Sequence, residues 1–536
     1  TAVTLGAGSA LRGFSVESSG TASALVSCAG GAVTLDTVLL AGAGVVTDGL
    51  DITSSCSATL QSVSIVDFAA DSLNVSTSGT VAITGGLLSA SQVGLVQTSG
   101  SVTASGLAVE SNGQYGIRLP FNSNNPSLTI TGQSLVENNG TTGDFAGIAV
   151  TKGTLSVTST QLAGNGGAGI AIASAGAHTL ANVQLTGNGT KGTEPGLWIS
   201  SGTLTASGVS ASGNSGDGVT ASGGSSSFTG ATLSSNKGNG LGCASSCTFD
   251  LSGGTIQNNT KAGISGGLTG TLTVHGGTEI TGNATGVQLT GAVTTIAGAN
   301  IHGNSGPGVS VDHNAGSTIG IGSPTTTTTI AGNQQQGIVV PAASPVPGSG
   351  ANSLTIDSAT ITGNGSFGIY LQASDGTVAA TVKANTITGN ADTGLMVEEG
   401  VGQTTVVAVQ NNDVSGNNVK TSPRNVGGVL FNTSARLTSF IGNKVHSNGG
   451  DELGFNGLPD GGGTKWTITP PSNACDTTAN SIYCYGTGNV GIHVLAAGAS
   501  VDAQHQHWTN NPPTVGIDYT GTVTVTNPCT AITTCP

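Results

Sequence analysis

The chain has 536 residues, of which 7% are charged, 3% aromatic and 89 are glycine. Its 12 Lys and Arg stand against 26 Asp and Glu, a formal charge of −14. With no basic patch to neutralise phosphates, nucleic acid is excluded as a partner, and a surface so poor in cations is badly suited to gripping polyuronates. The 36% of apolar residues is too much hydrophobic material for a disordered chain, and no apolar run reaches the ~20 residues that span a bilayer.

The first elements are short strands in a worn repeat: LRGFSVE, LDTVLLAGAGVV, LQSVSIVDFAADSLNV and ASGLAVESNGQYGI. From there the phrase apolar-x-Gly-Asn, a Gly-rich turn and Gly-apolar-x-apolar becomes regular. It reads LAGNGGAGIAI around Asn165, ASGNSGDGVTA around Asn214, ITGNATGVQL around Asn283 and ITGNADTGLMV around Asn390. The turn asparagines fall at 112, 139, 165, 188, 214, 236, 259, 283, 304, 333, 364, 390, 417 and 443. Within each unit the hydrophobic period is two, over strands of three to five residues, and no 3.6-residue pattern persists. Such a unit cannot bury its apolar side alone, so units must stack, strand on equivalent strand. Asn suits the recurrent bend and can bond to its own equivalent in the next unit. The expected inward residues include Ile170, Ile172, Val287, Leu289, Ile369, Leu371, Leu395 and Val397, with Tyr370 and Met396 outside.

The repeat resembles that of the right-handed parallel β-helix (pectate-lyase-like) superfamily, in particular its bacterial secreted and surface members. The resemblance implies an all-β, single-stranded right-handed parallel β-helix solenoid of roughly 18–20 coils with a disulfide-tied C-terminal end. Residues 1–445 read as repeats. Residues 446–536 read as an irregular loop, terminal coils and a Cys-containing cap, with the pattern breaking near Trp466.

The eight cysteines fall into local pairs, Cys28 with Cys56, Cys243 with Cys247, Cys475 with Cys484 and Cys529 with Cys535. Their spacing fits disulfides and a secreted or cell-surface location rather than zinc.

Equivalent residues of successive units form columns. Two residues after the strand glycine come Arg118, Ala149, Ala171, Trp198 and Thr220, and later Val339, Tyr370, Met396 and Leu430, a predicted apolar stripe. Beside it lie Asp312, Gln372, Glu398 and Asn432, and residues 341–353 could overhang this face. Tyr370, Met396, Leu430, Gln372, Glu398 and Asn432 therefore make a candidate sugar-binding stripe, the ring stacking on pyranose and the polar groups reading hydroxyls.

No carboxylate pair fits a glycosidase: Glu398 and Glu399 point to opposite faces, and Asp312 is three units away. His505 and His507 alternate by two, near Asp502 and Asp518, and are weak metal candidates. No cofactor and no catalytic residue is predicted. The reading is a non-catalytic structural or adhesive surface protein whose partners are surface glycans or further copies of itself. The second possibility follows from the opening segment TAVTLGAGSALRGFSVE, which enters directly in the repeat: either an upstream segment caps its strand edge, or the edge serves head-to-tail filament growth. Two alternatives stand beside it: a polysaccharide-active lyase, hydrolase or epimerase, and a carbohydrate-binding module without catalysis.

Overall fold

The computed structural model describes the chain apart from residues 1, 19, 123, 268, 292, 313–317, 342–351, 374–376, 400–403, 421–424, 433–434, 460–462, 470–474, 476–478, 487, 511 and 530–536, and apart from the side chains at 312, 352, 373, 377–378, 399 and 404–405. Every regular element among the described residues is a β-strand. The strands wind into a right-handed parallel β-solenoid of about 19 turns in all, divided into two compact units, residues 1–261 and 262–536.

In the first unit a typical coil carries three strands, such as Leu197–Ile199, Thr203–Ser207 and Ser210–Ser212. Each pairs in parallel with its equivalent one coil on: Leu197 with Val219, Thr203 with Ser225 and Ser210 with Thr232. In the earliest coils the first two strands are continuous, as in Asp48–Gln61 and Asp71–Thr84. The second unit repeats the plan. Ile369–Ala373 pairs with Leu395–Glu399, which in turn pairs with Val426–Phe431.

The alternating pattern sets which side chains enter the lumen. Ile170, Ile172, Val287, Leu289, Ile369, Leu371, Leu395 and Val397 are all fully buried, as expected. Burying such a side chain contributes about 1.5–3 kcal/mol.

Inside the bend, the asparagines form ladders. In the first unit the chain runs 112, 139, 165, 188, 214, 236, 259. Each Nδ2 and each backbone N–H donates to the Oδ1 of the next asparagine, with Nδ2–Oδ1 distances of 2.8–3.2 Å. The second Nδ2 proton goes to a strand carbonyl, as from Asn214 to Leu185, so these buried amides are satisfied. In the second unit the ladder runs from Asn283 to Asn417 and then to Asn448. It ends on the carboxylate of Glu452, which accepts from both donors of Asn448. Asn443, read from the sequence as the last rung, belongs to a second ladder through 385, 412, 443 and 480 that ends on Gln506.

Two sequence expectations fail near the C-terminus. Trp466 does not mark the end of the pattern. It lies in Lys465–Thr467, which pairs with Ser500–Asp502 and, through it, with Val523–Thr524. Its indole is buried against Phe431 and Phe455. The disulfides are Cys28–Cys56, Cys243–Cys247 and Cys475–Cys529. Contrary to expectation, Cys475 therefore does not join Cys484, nor does Cys529 join Cys535. In a solenoid, residues following equivalent strands of stacked coils meet in space, whereas sequence neighbours are carried apart along the coil. Here Cys475 follows Lys465–Thr467 and Cys529 follows Val523–Thr524, with Cα atoms 5.5 Å apart. Cys484 is also disulfide-bonded; Cys535 lies outside the described residues. No helix among the described residues is long and apolar enough to cross a membrane.

Candidate functional site

The outer face of the first unit is two residues wide, and its geometry follows from the strand glycine. A Cβ on Gly116, Gly147, Gly196 or Gly218 would lie 2.7–2.8 Å from the Nδ2 of a ladder asparagine, so this position faces the ladder and must stay bare. The residue before the glycine turns outward at the corner and stands beside the residue two after it. Each coil thus offers one pair: Asp48 with Asp51, Asp71 with Asn74, Val93 with Val96, Tyr115 with Arg118, Ala146 with Ala149, Ala168 with Ala171, Pro195 with Trp198 and Asp217 with Thr220. The second members form one continuous register from Asp51 through Asn74, Val96, Arg118, Ala149, Ala171 and Trp198 to Thr220.

The middle of this face is a floor of alanines bounded by rings. Ala146, Ala149 and Ala168 are buried, with Tyr115, Ala171 and Trp198 packed against them and each partly exposed. Tyr115 meets Phe145 edge-on, with centroids 5.0 Å apart, and carries the Arg118 guanidinium 5.3 Å above its ring. Tyr115 and Trp198 are three rungs apart, about 14 Å at the spacing of adjacent strands.

One end of the face is acidic. The backbone N–H of Asp71 donates to Asp48 Oδ1 at 3.2 Å, and Asn74 Nδ2 to Asp51 Oδ1 at 3.2 Å. Burial, reinforced by the neighbouring carboxylates, pushes Asp48 up to about 6 and Asp71 up to about 7, the latter against the pull of Arg118. Burial raises Asp51 as well. At the other end Asp217 is engaged, accepting from Thr220 Oγ1 at 3.0 Å and from the Asn239 backbone at 2.6 Å.

In the second unit the predicted stripe is contiguous: Val339, Tyr370, Met396 and Leu430 are successive strand partners. Its predicted exposure is wrong. Met396 is 4% exposed and Leu430 is fully buried, and Tyr370 is only partly exposed. The cause is the column before the glycine together with a later coil. Phe367, Val426 and Leu495 close over the stripe, and Val426 fills the space left by Gly454, where a Cβ would lie 2.4 Å from its methyl. The polar candidates do assemble. Tyr370 OH donates to Glu398, Asn432 Nδ2 donates to Glu398 Oε1 at 2.9 Å, and Asn456 Nδ2 donates to Asn432 Oδ1 at 2.9 Å, with Gln372 the strand partner of Glu398. Burial and the Glu398 carboxylate raise the Tyr370 phenol above its usual range. The side chains of Asp312 and Glu399, and residues 342–351 of the expected overhang, lie outside the described residues.

The family model described as a right-handed β-helix region matches residues 195–346 and 285–489, together more than half of the chain. The chain belongs to this family. No curated protein matches it.

Membership of the right-handed β-helix family accounts for the ladders and the rungs and leaves the chemistry to individual side chains. The two weak metal candidates do not share a strand face. His505 sits at a corner with φ +54°, which breaks the alternation, and His507 begins the next strand, His507–Trp508. The carboxylates near them in sequence are engaged elsewhere, Asp502 with Lys465 at 2.8 Å and Asp518 with Tyr485, Asn510 and Thr514. Among the described residues no three His, Cys, Asp or Glu converge as for a metal. The residues that sequence reasoning missed are Asp48, Asp51, Asp71 and Tyr115. The signal was present in the matching phrases DGLDI (48–52) and DSLNV (71–75), in which an acidic residue stands just before the glycine or its equivalent, Ser72.

Proposed function

We propose that this is an extracellular, adhesive β-helix that binds a neutral glycan along the outer face of its first unit. The observation that carries the reading is the alanine floor flanked by Tyr115 and Trp198, with Arg118, Asn74 and the three aspartates beside it. The partly exposed rings on either side of the buried alanines offer flat faces to the apolar side of a pyranose. Asparagine, arginine and carboxylate groups are the usual readers of hydroxyls. A sugar unit advances along its polymer by about the distance between adjacent strands, so a linear glycan lying along the solenoid sets successive rings on successive rungs. The excess of acidic residues favours a neutral polymer over a polyanionic one. The disulfides and the stripe around Tyr370, Glu398 and Asn432 fit the same reading: an oxidising compartment and a second polar patch on an outer face.

A glycan array followed by titration of the best binder tests the reading. Ring stacking contributes about 1–3 kcal/mol by analogy with other stacked rings, so Trp198→Ala should weaken binding roughly tenfold or more. Failure of every neutral glycan to bind, or unchanged affinity in Trp198→Ala, removes the proposal. A second reading, hydrolysis of the bound polymer, is favoured by the Asp71 carboxyl, which burial pushes up to about 7 beside the Asp48 carboxylate, the direction a general acid requires. Release of reducing ends that Asp71→Asn abolishes would establish it, and their absence leaves binding alone.

A further inference from the structure

We propose a second saccharide site in the first unit, in a trough at the corner between the first and second strands of its coils, headed by Phe121. It is a different surface from the alanine-floored face and does not depend on it. In the coils that follow, this corner is short, residues 151–153, 173–176 and 200–202; one coil earlier it is stretched, the strands ending at Leu119 and resuming at Ser127. The stretched segment holds the Phe121 ring 80% exposed, the most exposed of the large hydrophobic side chains among the described residues. An apolar ring in that position gains nothing for the fold.

Next to Phe121 lies a cavity of about 520 Å³, lined by Lys152, Gly153, Ser174, Gly176 and Ser201 among others, a size within the range of small-ligand sites. Its floor is main chain. A Cβ on Gly153 would stand 2.1 Å from the Pro126 carbonyl and one on Gly176 2.6 Å from the Gly153 carbonyl, so the coils close up here with no side chains between them. The hydroxyls along it are oriented by the coil beneath. Thr151 donates to the Leu119 carbonyl at 2.9 Å, Ser174 to Gly153 at 2.7 Å and Ser201 to Ala173 at 2.7 Å. Thr151 and Ser201 have spent their protons and keep their oxygens as acceptors, while the buried Ser174 oxygen already accepts the Gly176 N–H at 3.3 Å.

The Thr151 and Ser201 acceptors beside one exposed ring call for a ligand rich in hydroxyl donors with one flat apolar face, which describes a short run of neutral hexoses. A lipid would find little apolar wall among glycines and serines, and a phosphorylated ligand would meet a single cation, Lys152.

The test is calorimetric titration with three glucose hexasaccharides, β-1,4-, β-1,3- and α-1,4-linked, on wild type, Trp198→Ala, Phe121→Ala and the double variant. In Trp198→Ala at least one hexasaccharide should still bind, and adding Phe121→Ala should weaken it tenfold or more at unchanged melting temperature, because the exposed ring packs against little. No binding of any of the three to Trp198→Ala, or equal binding with and without Phe121, overturns the site. Binding that Phe121→Ala abolishes and Trp198→Ala leaves intact sustains it while removing the outer-face platform, so the two readings fail separately.

Discussion

At the scale of the residue, period-two alternation made the lumen readable. It placed Ile369 and Leu371 inside and Tyr370 between them, because a one-residue slip reverses every side chain. The alternation gives no information on the residue just before the strand glycine or its equivalent, where the chain turns the corner, so Asp48, Asp71, Tyr115 and Phe367 were invisible as members of the outer face. Their orientation is set by the corner. The asparagine ladder was legible as a repeat, and its hydrogen bonding explains the repeat: Oδ1 and Nδ2 of each rung are both used. Asn214→Ala would strand the Nδ2 and N–H of Asn188 and the carbonyl of Leu185 in the interior. Each stranded group costs about 1–3 kcal/mol, so a loss of roughly 3 kcal/mol or more is expected in chemical denaturation. A change under 1 kcal/mol would show that water takes over the rung.

At the scale of the element, strands stacked on their equivalents made the columns predictable, while the connections between strands escaped prediction. The disulfide Cys475–Cys529 joins segments that follow stacked strands, a relation hidden by 54 residues of sequence. The same blindness produced the error over the stripe. Its continuity came from the repeat, but its cover comes from Val426 and Leu495, which no column through Leu430 contains. The corrected picture makes a prediction that the open stripe does not. A buried Leu430 lost to alanine leaves a cavity and costs about 2–4 kcal/mol, whereas a solvent-facing leucine would be nearly neutral to remove. Urea melts of Leu430→Ala, with Val515→Ala as the exposed control, separate the two. Near-equal midpoints for both variants would restore the exposed stripe.

At the scale of the whole molecule, acidity bears on stability as well as on partner choice. Burial raises Asp48 to about 6, Asp71 to about 7 and Glu452 to about 8, and it raises Asp51 and Asp518 too. A carboxyl whose folded value lies above its unfolded one holds its proton more tightly in the native state. These groups therefore cost nothing in acid and progressively destabilise the fold as pH rises from the ordinary carboxylate range to about 8. Asp413, held down by the His446 imidazole 3.2 Å from its Oδ1, works in the opposite sense. So does Asp502, where burial is outweighed by Lys465, Gln504 and Thr469. Their stabilisation is present above the ordinary carboxylate range and is lost only below it. Self-repulsion among the net −14 charges adds to the alkaline side. The melting temperature should accordingly be highest near about pH 5 and decline towards pH 8. Added salt should lessen the part due to long-range repulsion, which is screened beyond about 10 Å at 0.1 M, and leave the part due to burial. The combined variant Asp48→Asn, Asp71→Asn, Glu452→Gln should then flatten what remains. Thermal unfolding by circular dichroism across pH 4–8, at low and high salt, measures both parts. A melting temperature that stays level or climbs between pH 5 and pH 8 would show that these carboxyls ionise in the folded protein as readily as in the unfolded chain.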